Sequence, residues 1–216
     1  LTKKRQIKQG AMQELLQPKE DWALKKLGNI CEIKKGKGIS KSQLSIDGKY
    51  KCILYGELFT TYKEIISIVN SKTNVIDSIP SKEQDILFPG STTTTGIDLA
   101  KASTILENGV LLGGDILVLR KRHYNYNSVF LTYFLNVVKK YEIAQNTKGI
   151  TIHHLYGSDL EKINVQFPEL EDQTRIATIL TDMDIEIEQL ETKLQKAKKV
   201  KQGMIQELLT GKTRLI

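Results

Sequence analysis

The sequence predicts an α+β protein, in which a globular domain of mixed α/β structure is followed by one long α-helix. Short apolar runs separated by turn residues occupy the chain from Trp22 to about Pro168. A proline-free stretch with heptad-spaced apolar residues follows Pro168. A helical pattern at 2–16 precedes the domain. We therefore expect four segments: a short N-terminal helix at 1–18, the globular domain at 19–168, the long helix at 169–210 and a C-terminal tail at 211–216.

The N-terminal helix is predicted by apolar residues that share one face and by Pro18, which ends the run. Those apolar residues are Ile7, Ala11, Met12, Leu15 and Leu16.

This first segment is also a copy of the end of the chain. Residues 8–19 read KQGAMQELLQPK and residues 201–212 read KQGMIQELLTGK, with eight of twelve positions identical and no gap. The period of 193 residues fits one globular domain plus one long helix. We therefore interpret the opening segment as the end of a preceding copy of the helix. We expect it to pack beside the long helix, near its middle or at the junction with the domain.

The globular domain is predicted to contain strands wherever a short apolar run ends in turn residues. Five such runs are CEIKKG, YKCILYG, DILFPG, GGDILVLRKR and KINVQFP. One helix is predicted after the cap candidate Asn127, because apolar and aromatic residues there recur at helical spacing. They are Val129, Phe130, Tyr133, Phe134, Val137, Val138 and Tyr141, and we interpret this stripe as core rather than as a ligand site.

The long helix carries a seam of apolar residues at alternating spacings of four and three, which is typical of a coiled coil. From residue 176 to residue 208 the seam spans 32 residues, or about 48 Å. A small domain cannot cover a helix of this length, so the seam predicts a second long helix as its partner. The seam residues are Ile176, Leu180, Met183, Ile187, Leu190, Leu194 and Ala197, followed after a skip at Lys201 by Met204 and Leu208.

The charges of the long helix favour an antiparallel partner. Residues 169–191 hold eight acids and one arginine, whereas residues 193–201 hold five lysines and no acid. Antiparallel pairing places the acidic half of one helix against the basic half of the other. We therefore expect an antiparallel coiled coil with a second copy, a homodimer. The alternative is that the charges form an ordinary solvated face.

The composition places the chain among basic proteins without a membrane segment. The formal net charge is +7, with +4 in residues 1–19, +5 in residues 20–155 and −2 in residues 156–216. Such a charge permits binding of nucleic acid. No apolar run approaches the length of a membrane span. The two cysteines, Cys31 and Cys52, lack the spacing of a metal site and are expected to be reduced core thiols of a cytoplasmic protein.

No recognisable catalytic constellation is present in the sequence. TGKT at 210–213 lacks the glycine that a phosphate-binding loop needs at position 206, where the chain has Gln206, and it follows a helix instead of preceding one. His153 and His154 have no third ligand or triad partner that the sequence suggests. The methyltransferase motif Asn/Asp-Pro-Pro-aromatic is also absent from the sequence. We therefore expect no catalytic residue, no metal site and no cofactor bound by this chain.

Four segments combine cations, hydroxyl groups and aromatic residues in loops, the residue types that contact phosphates and base edges. They are KKGKGISK at 34–41, GSTTTTG at 90–96, LRKRHYNYN at 119–127 and NTKGITIHH at 146–154. Taken singly, each could be an ordinary solvated loop, but together they favour contact with DNA. The candidate residues are Lys34, Lys35, Lys37, Lys41, Ser91, Thr92, Thr93, Thr94, Arg120, Lys121, Arg122, Tyr124 and Lys148.

Two stretches resemble the specificity subunit of type I restriction–modification enzymes. WALKKLGNICEIKKGKGIS, residues 22–40, resembles the opening of that family's target-recognition domain. The stretch from Gly149 to Leu215 resembles the end of the domain and the spacer helix: a strand ending in proline, an acidic-Gln-Arg-Ile-Ala opening and a long helix ending in QELLTGK. The middle, about 42–145, matches only in outline. Such variation is expected where each member reads a different DNA sequence.

The resemblance implies a non-catalytic subunit that reads double-stranded DNA. In the family, two recognition domains read the halves of a split target and their spacer helices pair antiparallel. Partner modification subunits carry S-adenosylmethionine, and restriction subunits use ATP with Mg²⁺. With one recognition domain and one full helix, this sequence corresponds to half of such a subunit, either a natural half-length form or the second half of a longer chain.

Two alternatives to this function come from other classes. One is a coiled-coil adaptor whose basic domain binds DNA without reading its sequence. The other is a nucleic-acid enzyme with an unrecognised site.

Overall fold

The computed structural model describes residues 1–210, and the tail predicted at 211–216 lies outside the described residues. The chain divides into two compact units. The globular unit comprises Leu16–Ala177. The helical unit comprises Leu1–Leu15 together with the chain from Thr178 onward.

The secondary structure alternates short strands with short helices until the last helix begins. The strands are β1 (Ala23–Lys26), β2 (Cys31–Lys35), β3 (Tyr50–Ile53), β4 (Ile65–Ile66), β5 (Lys72–Thr73), β6 (Ile79–Pro80), β7 (Ile86–Pro89), β8 (Ser91–Thr92), β9 (Ser103–Ile105), β10 (Leu111–Leu112), β11 (Ile116–Lys121), β12 (His153–His154) and β13 (Asn164–Phe167). The helices are α1 (Thr2–Leu15), α2 (Leu27–Ile30), α3 (Glu57–Thr60), α4 (Gly96–Leu99), α5 (Ser128–Val137), α6 (Lys140–Gln145), α7 (Gly157–Leu160) and α8 (Leu170–Leu209), with a 3₁₀ turn at Lys41–Gln43.

The globular unit is organised around a five-stranded sheet of order β2-β11-β7-β9-β4. Its central strand pairs are antiparallel, and only the β4–β9 pair at one edge is parallel. In the register of β11, Leu117 lies opposite Lys35 of β2 and opposite Phe88 of β7. A four-stranded sheet of order β5-β3-β10-β6 and two ribbons, β1-β13 and β8-β12, complete the strand pairing.

The core of the globular unit lies against β7 and β11, whose apolar residues are buried without alternation. Uninterrupted apolar strands of this kind have both faces covered by protein. A second part of the core is aromatic: Trp22 meets Phe130 edge to face at 5.9 Å, and Phe130 lies 6.1 Å from Phe167 between ring centroids. Such ring pairs stabilise a core beyond the area that they bury.

All five predicted apolar runs form strands, namely β2, β3, β7, β11 and β13. The cap at Asn127 is confirmed, because its side chain accepts a hydrogen bond from the Phe130 amide at 3.0 Å. The single helix predicted after it is instead two helices. The Phe134 carbonyl accepts from both Val138 and Lys139, which ends the regular ladder of α5. Tyr141 falls in α6 and is 74% exposed, so that residue was wrongly assigned to the core.

In the helical unit, α1 packs beside α8, as the sequence predicts, and the two helices run antiparallel. Lys4 Nζ lies 2.7 Å from a Glu186 carboxylate oxygen, and Arg5 Nη2 lies 2.7 Å from Glu191. The predicted apolar face is only partly correct, because Ile7 is 47% exposed whereas the neighbouring Lys8 is buried.

The long helix predicted after Pro168 is confirmed by α8, which has 40 residues. Its seam is covered in the first half and open in the second. Ile176, Leu180 and Ile187 are buried, Met183 and Leu190 are half-buried, and Leu194, Ala197, Met204 and Leu208 are exposed. The coiled coil with a second copy stays a prediction. Among the described helices, none has the length and apolar character needed to cross a membrane.

Candidate nucleic-acid interface

The carboxylate of Asp115 joins two of the candidate segments just before β11. Lys35 Nζ lies 2.9 Å from Asp115 Oδ1, and Ser91 Oγ donates to Asp115 Oδ2 at 3.1 Å. The hydrogen bond from Lys35 lowers the pKa of Asp115, and the bond from Ser91 and the positive charge act in the same direction. The ion pair leaves the Lys35 side chain 64% exposed, so its ammonium group is held in place at the surface.

The ribbon of β8 and β12 adds the third segment to the same place. Thr92 lies opposite His153, and Ser91 lies opposite His154. Directly opposed residues of an antiparallel pair project from the same face. The hydroxyl run and the His-His pair are therefore neighbours, although about sixty residues separate them in the chain.

Lys148 closes this arrangement from the loop before β12. Its amide donates to the His154 carbonyl at 2.9 Å, and its Nζ lies 3.3 Å from the buried carboxylate of Asp159 and 5.5 Å from the centre of the Tyr156 ring. Burial opposes ionisation of Asp159, but hydrogen bonds from Lys162 and Lys148 outweigh it and lower its pKa. Lys148 keeps 65% of its side chain exposed.

The loop between Lys148 and His153 has a fixed conformation that requires glycine. Gly149 has a φ of +121°, and a Cβ there would lie 1.8 Å from the Ile152 carbonyl oxygen. L-residues rarely adopt such a φ, and no neighbour can yield by that distance. This backbone presents Ile150, which is 98% exposed, beside Lys148. We name the group Lys35, Thr92, Thr93, Lys148, Ile150 and His153 the loop surface.

The rest of the hydroxyl run is used to form α4. The hydroxyls of Thr94 and Thr95 donate to Asp98 Oδ2 at 2.6 and 2.7 Å. The Thr94 and Thr95 hydrogen bonds lower the pKa of Asp98. Thr93 is exposed, whereas Ser91 is buried. The hydroxyl run therefore divides into structural residues and residues that are open to a ligand.

The remaining lysines of the first segment lie at or near the end of β2. Lys34 pairs with Glu32 at 3.2 Å, Lys37 pairs with Asp77 at 2.7 Å, and Lys41 is exposed at the start of the 3₁₀ turn. Gly36 is required between them, since a Cβ there would lie 2.1 Å from the Gly113 carbonyl oxygen. Exposed ion pairs contribute about 0–1 kcal/mol, so each carboxylate can release its lysine to a phosphate at small cost.

The fourth candidate segment lies at the other end of β11. Asp115 and Lys121 are six residues apart, about 20 Å along a strand. Lys121 Nζ donates to the Tyr126 carbonyl at 2.7 Å, and Tyr124 packs 5.7 Å from Phe167 between ring centroids. Arg120 pairs with the buried carboxylate of Asp85 at 2.7 Å. Arg122 is the one of these four candidates that is exposed in the described structure.

Sequence reasoning missed the residues that assemble the loop surface. Asp115 and Asp159 orient its lysines, and Ile150 and Tyr156 are apolar or aromatic residues exposed beside them. A turn signal, GGD before β11, marked the position of Asp115 but not its partners. Among the described residues, no group of histidine, cysteine and carboxylate side chains could hold a metal ion.

Within the globular unit, the first residues of α8 are held by Gln173, which the sequence singled out only as part of a motif. Gln173 is 1% exposed. Its Oε1 accepts from the Asn127 amide at 2.9 Å, and its Nε2 donates to the Pro168 carbonyl at 2.9 Å. The acidic-Gln-Arg-Ile-Ala opening thus joins α5, the end of β13 and α8.

The curated proteins that resemble this chain include two specificity subunits of type I restriction enzymes. The chain is 27% identical over 198 residues to the type I restriction enzyme MjaVIII specificity subunit of Methanocaldococcus jannaschii, covering 88% of this chain and 42% of that one. It is 26% identical over 200 residues to the putative MjaX specificity subunit of the same organism, covering 91% of this chain and 44% of that one. The chain therefore spans less than half the length of these curated relatives.

Solved structures share the fold at low sequence identity. The S subunit of a type I restriction-modification system from M. genitalium superimposes with a TM-score of 0.64 at 17% identity, over 91% of this chain and 48% of that one. The HsdS subunit from Thermoanaerobacter tengcongensis gives a TM-score of 0.62 at 16% identity, over 95% and 50%. These matches show a specificity-subunit fold of globular domain plus long helix.

The family model for the type I restriction modification DNA specificity domain matches residues 19–199, which include the loop surface and most of α8. One match thus covers nearly all of the globular unit and most of the helix. The chain belongs to the family of type I restriction modification DNA specificity domains.

Proposed function

We propose that this chain reads one half of a bipartite double-stranded DNA target for a type I restriction–modification complex. The observation that carries the proposal is the loop surface. Three segments that are distant in sequence meet there and present Lys35, Thr92 and Lys148 around fixed carboxylates. Lysines suit phosphates, and hydroxyl and histidine groups reach base edges.

The loop surface also contains an apolar residue in a rigid position. Ile150 is 98% exposed on a loop whose backbone is fixed by Gly149. Apolar side chains contact the methyl group of thymine in the major groove. We therefore assign phosphate contact to the lysines and base contact to Ile150, Thr92 and His153.

The experiment is a measurement of DNA affinity against salt for the chain assembled with a modification subunit of its family. Each lost phosphate contact lowers the slope of log affinity against log salt concentration by about 1. Lys35→Gln and Lys148→Gln should each do so on all DNA sequences. Lys82→Gln, which alters an exposed lysine outside the loop surface, is the matched control. If the control and the two test variants had the same slope as the unaltered chain, the loop surface would not be the DNA interface.

Chemistry is proposed to reside in partner subunits. We propose that modification subunits dock on this chain and use S-adenosylmethionine, and that restriction subunits joining the complex use ATP with Mg²⁺. In this proposal the chain itself is non-catalytic, and it binds DNA in the cytoplasm. Purified chain alone should neither methylate nor cleave DNA, and either activity would contradict this assignment.

The same proposal includes a homodimer formed by antiparallel pairing of α8. The second half of the seam is exposed, including Leu194 at 42% and Met204 at 60%. Large exposed apolar faces mark interaction sites. Two-fold symmetry would make the DNA target an inverted repeat.

A coiled-coil adaptor with non-specific DNA binding is the second candidate function. It is favoured by the ion pairs of Lys34, Lys35, Lys37 and Lys148, which leave little net charge on the surface. Retention of one DNA sequence over others, in the presence of the modification subunit, separates the two functions. Equal retention of all sequences supports the adaptor.

A further inference from the structure

In the helical unit, α1 repeats the sequence of the end of α8 and packs against the middle of α8. The repeat period of 193 residues aligns Lys8 of α1 with Lys201 of α8, and Leu15 with Leu208. In the structure α1 lies antiparallel on α8, with Lys4 on Glu186 and Lys8 on Asp184. Because α1 repeats the sequence of the end of α8, its contact shows how the end of α8 from a second copy could pair with the acidic residues 184–191.

Lys8 is the informative residue of this contact. It is the buried residue of α1, and its side chain is 11% exposed where it meets the Asp184 carboxylate. Its counterpart Lys201 is exposed, and it stands where the apolar seam of α8 is interrupted. A lysine at a seam position weakens a coiled coil but fixes its register and orientation when an acid meets it.

The positions of the α8 seam are spaced symmetrically about Thr192. Leu190 and Leu194 each lie two residues from Thr192. Ile187 and Ala197 each lie five residues from it, and Met183 and Lys201 each lie nine residues from it. The symmetry continues with Leu180 and Met204 at twelve residues and with Ile176 and Leu208 at sixteen. An antiparallel pair centred on Thr192 therefore matches every seam position with a seam position of the other helix.

The bound α1 has nearly the same register as this symmetric pair. Centring on Thr192 places position 201 of the second helix opposite 183, and position 197 opposite 187. Their counterparts in α1, Lys8 and Lys4, pair with Asp184 and Glu186, one residue away in each case. Two of the three ion pairs of α1 thus agree with the seam symmetry to within one residue, whereas the third, between Arg5 and Glu191, lies five residues from the symmetric position.

We propose that residues 194–208 of a second copy bind α8 in the place that α1 occupies, with Lys201 of each copy on Asp184 of the other. The proposal rests on the homodimer of the proposed function and deepens it. It fixes the two-fold axis at Thr192, and it makes α1 an internal competitor for dimer formation. The competing segment is tethered in the same chain, so it acts at high effective concentration.

The register is tested by disulfide cross-linking. Ile187→Cys combined with Ala197→Cys places two thiols in one proposed layer. Within one chain the two positions are ten residues apart, about 15 Å along the helix, which is too far for a disulfide bond. We expect this variant to form a covalent dimer on oxidation. Ile187→Cys with Leu194→Cys is the matched control, because its thiols are three residues out of register. Equal cross-linking of both variants, or of neither, would overturn the register. Adding Lys201→Glu to the first variant should abolish the dimer.

Competition is tested by releasing α1 in the full chain. Lys4→Glu, Arg5→Glu and Lys8→Glu together reverse the three ion pairs with α8. We expect sedimentation equilibrium to show a dimer dissociation constant lowered about a hundredfold, because each of the two copies loses three competing pairs of about 0.5 kcal/mol. The control makes the same charge change at three exposed lysines of the globular unit, with Lys19→Glu, Lys49→Glu and Lys82→Glu. A released variant no more dimeric than this control would show that α1 does not compete.

The same samples separate this inference from the proposed function. Salt-dependent DNA affinity depends on the loop surface of the globular unit, whereas cross-linking depends on α8. If cross-linking fails while the lysines of the loop surface still determine the salt slope, the register is wrong and DNA reading stands. If cross-linking succeeds and those lysines have no effect, the register stands and DNA reading fails.

Discussion

Arg120 of β11 and Asp85, the residue before β7, form a buried ion pair at one end of the five-stranded sheet. Arg120 Nη2 lies 2.7 Å and Nε lies 3.0 Å from carboxylate oxygens of Asp85. Their side chains are 12% and 2% exposed. The hydrogen bonds that Arg120 donates to Asp85 raise the pKa of Arg120, so the guanidinium stays charged. A residue that resembles a phosphate ligand in the sequence thus serves the packing of β7 and β11.

Arg120→Ala should destabilise the chain by about 3–5 kcal/mol, because it leaves the Asp85 carboxylate buried without its cation. Urea unfolding followed by circular dichroism measures the change. Arg122→Ala is the matched control on an exposed neighbour, and its effect should be within about 0.5 kcal/mol. A fully stable Arg120→Ala variant with weakened DNA binding would instead make Arg120 a ligand residue.

Gly149→Ala should change the loop surface more than the fold. The substitution places a Cβ against the Ile152 carbonyl at a φ of +121°, so the loop must change conformation and Ile150 must move. We expect weaker discrimination between DNA sequences, together with a loss of stability of about 1–3 kcal/mol. Gly114→Ala is the control, since nothing lies within 4 Å of its Cβ position. Unchanged discrimination in Gly149→Ala would exclude this loop from sequence reading.

Acid should weaken the globular unit through Asp115 and Asp159. Hydrogen bonding from Lys35 lowers the pKa of Asp115, while for Asp159 the bonds from Lys162 and Lys148 overcome the opposing effect of burial. A carboxyl whose pKa is lower in the folded state stabilises that state above its unfolded pKa, about 3.9 for aspartate. This stability is lost as the pH falls through the folded value.

Thermal unfolding against pH checks this linkage. The melting temperature should decline below about pH 4. Asp159→Asn should be less stable than the unaltered chain at pH 7, and the difference should shrink below pH 4. A difference in melting temperature that stays constant down to pH 2 would mean that Lys148 and Lys162 do not stabilise the ionised form of Asp159.

The two cysteines should be unreactive in the folded chain. Burial raises the pKa of Cys31 to about 11 and that of Cys52 to about 11. Thiolate is the reactive form, so alkylation at pH 8 should be slow until denaturant exposes the thiols. Mass spectrometry of iodoacetamide-treated protein measures it. Fast labelling of the native chain would contradict the burial of these thiols and would require their replacement before any cross-linking.

The local elements could be predicted from the sequence because each depends on near neighbours. Heptad spacing after Pro168 is sufficient to predict α8, and apolar runs between turns are sufficient to predict β7 and β11. The end of α5 escaped prediction, because the shared hydrogen bonds of Phe134 interrupt a spacing that continues to Tyr141. Helical spacing also favoured Ile7 for the buried face of α1, where Lys8 is buried instead.

The sequence by itself determined the family resemblance, the repeat, the long helix and the four segments rich in DNA-contacting residue types. Only the tertiary structure decided which of those segments meet. The pairing of β2 with β11 and of β8 with β12 joins Lys35, Ser91, Asp115 and His154, and it leaves Arg120 at the opposite end of the sheet. Strand pairing over such separations depends on the packing of the whole core, whereas residue spacing reports only on the next few turns of the chain.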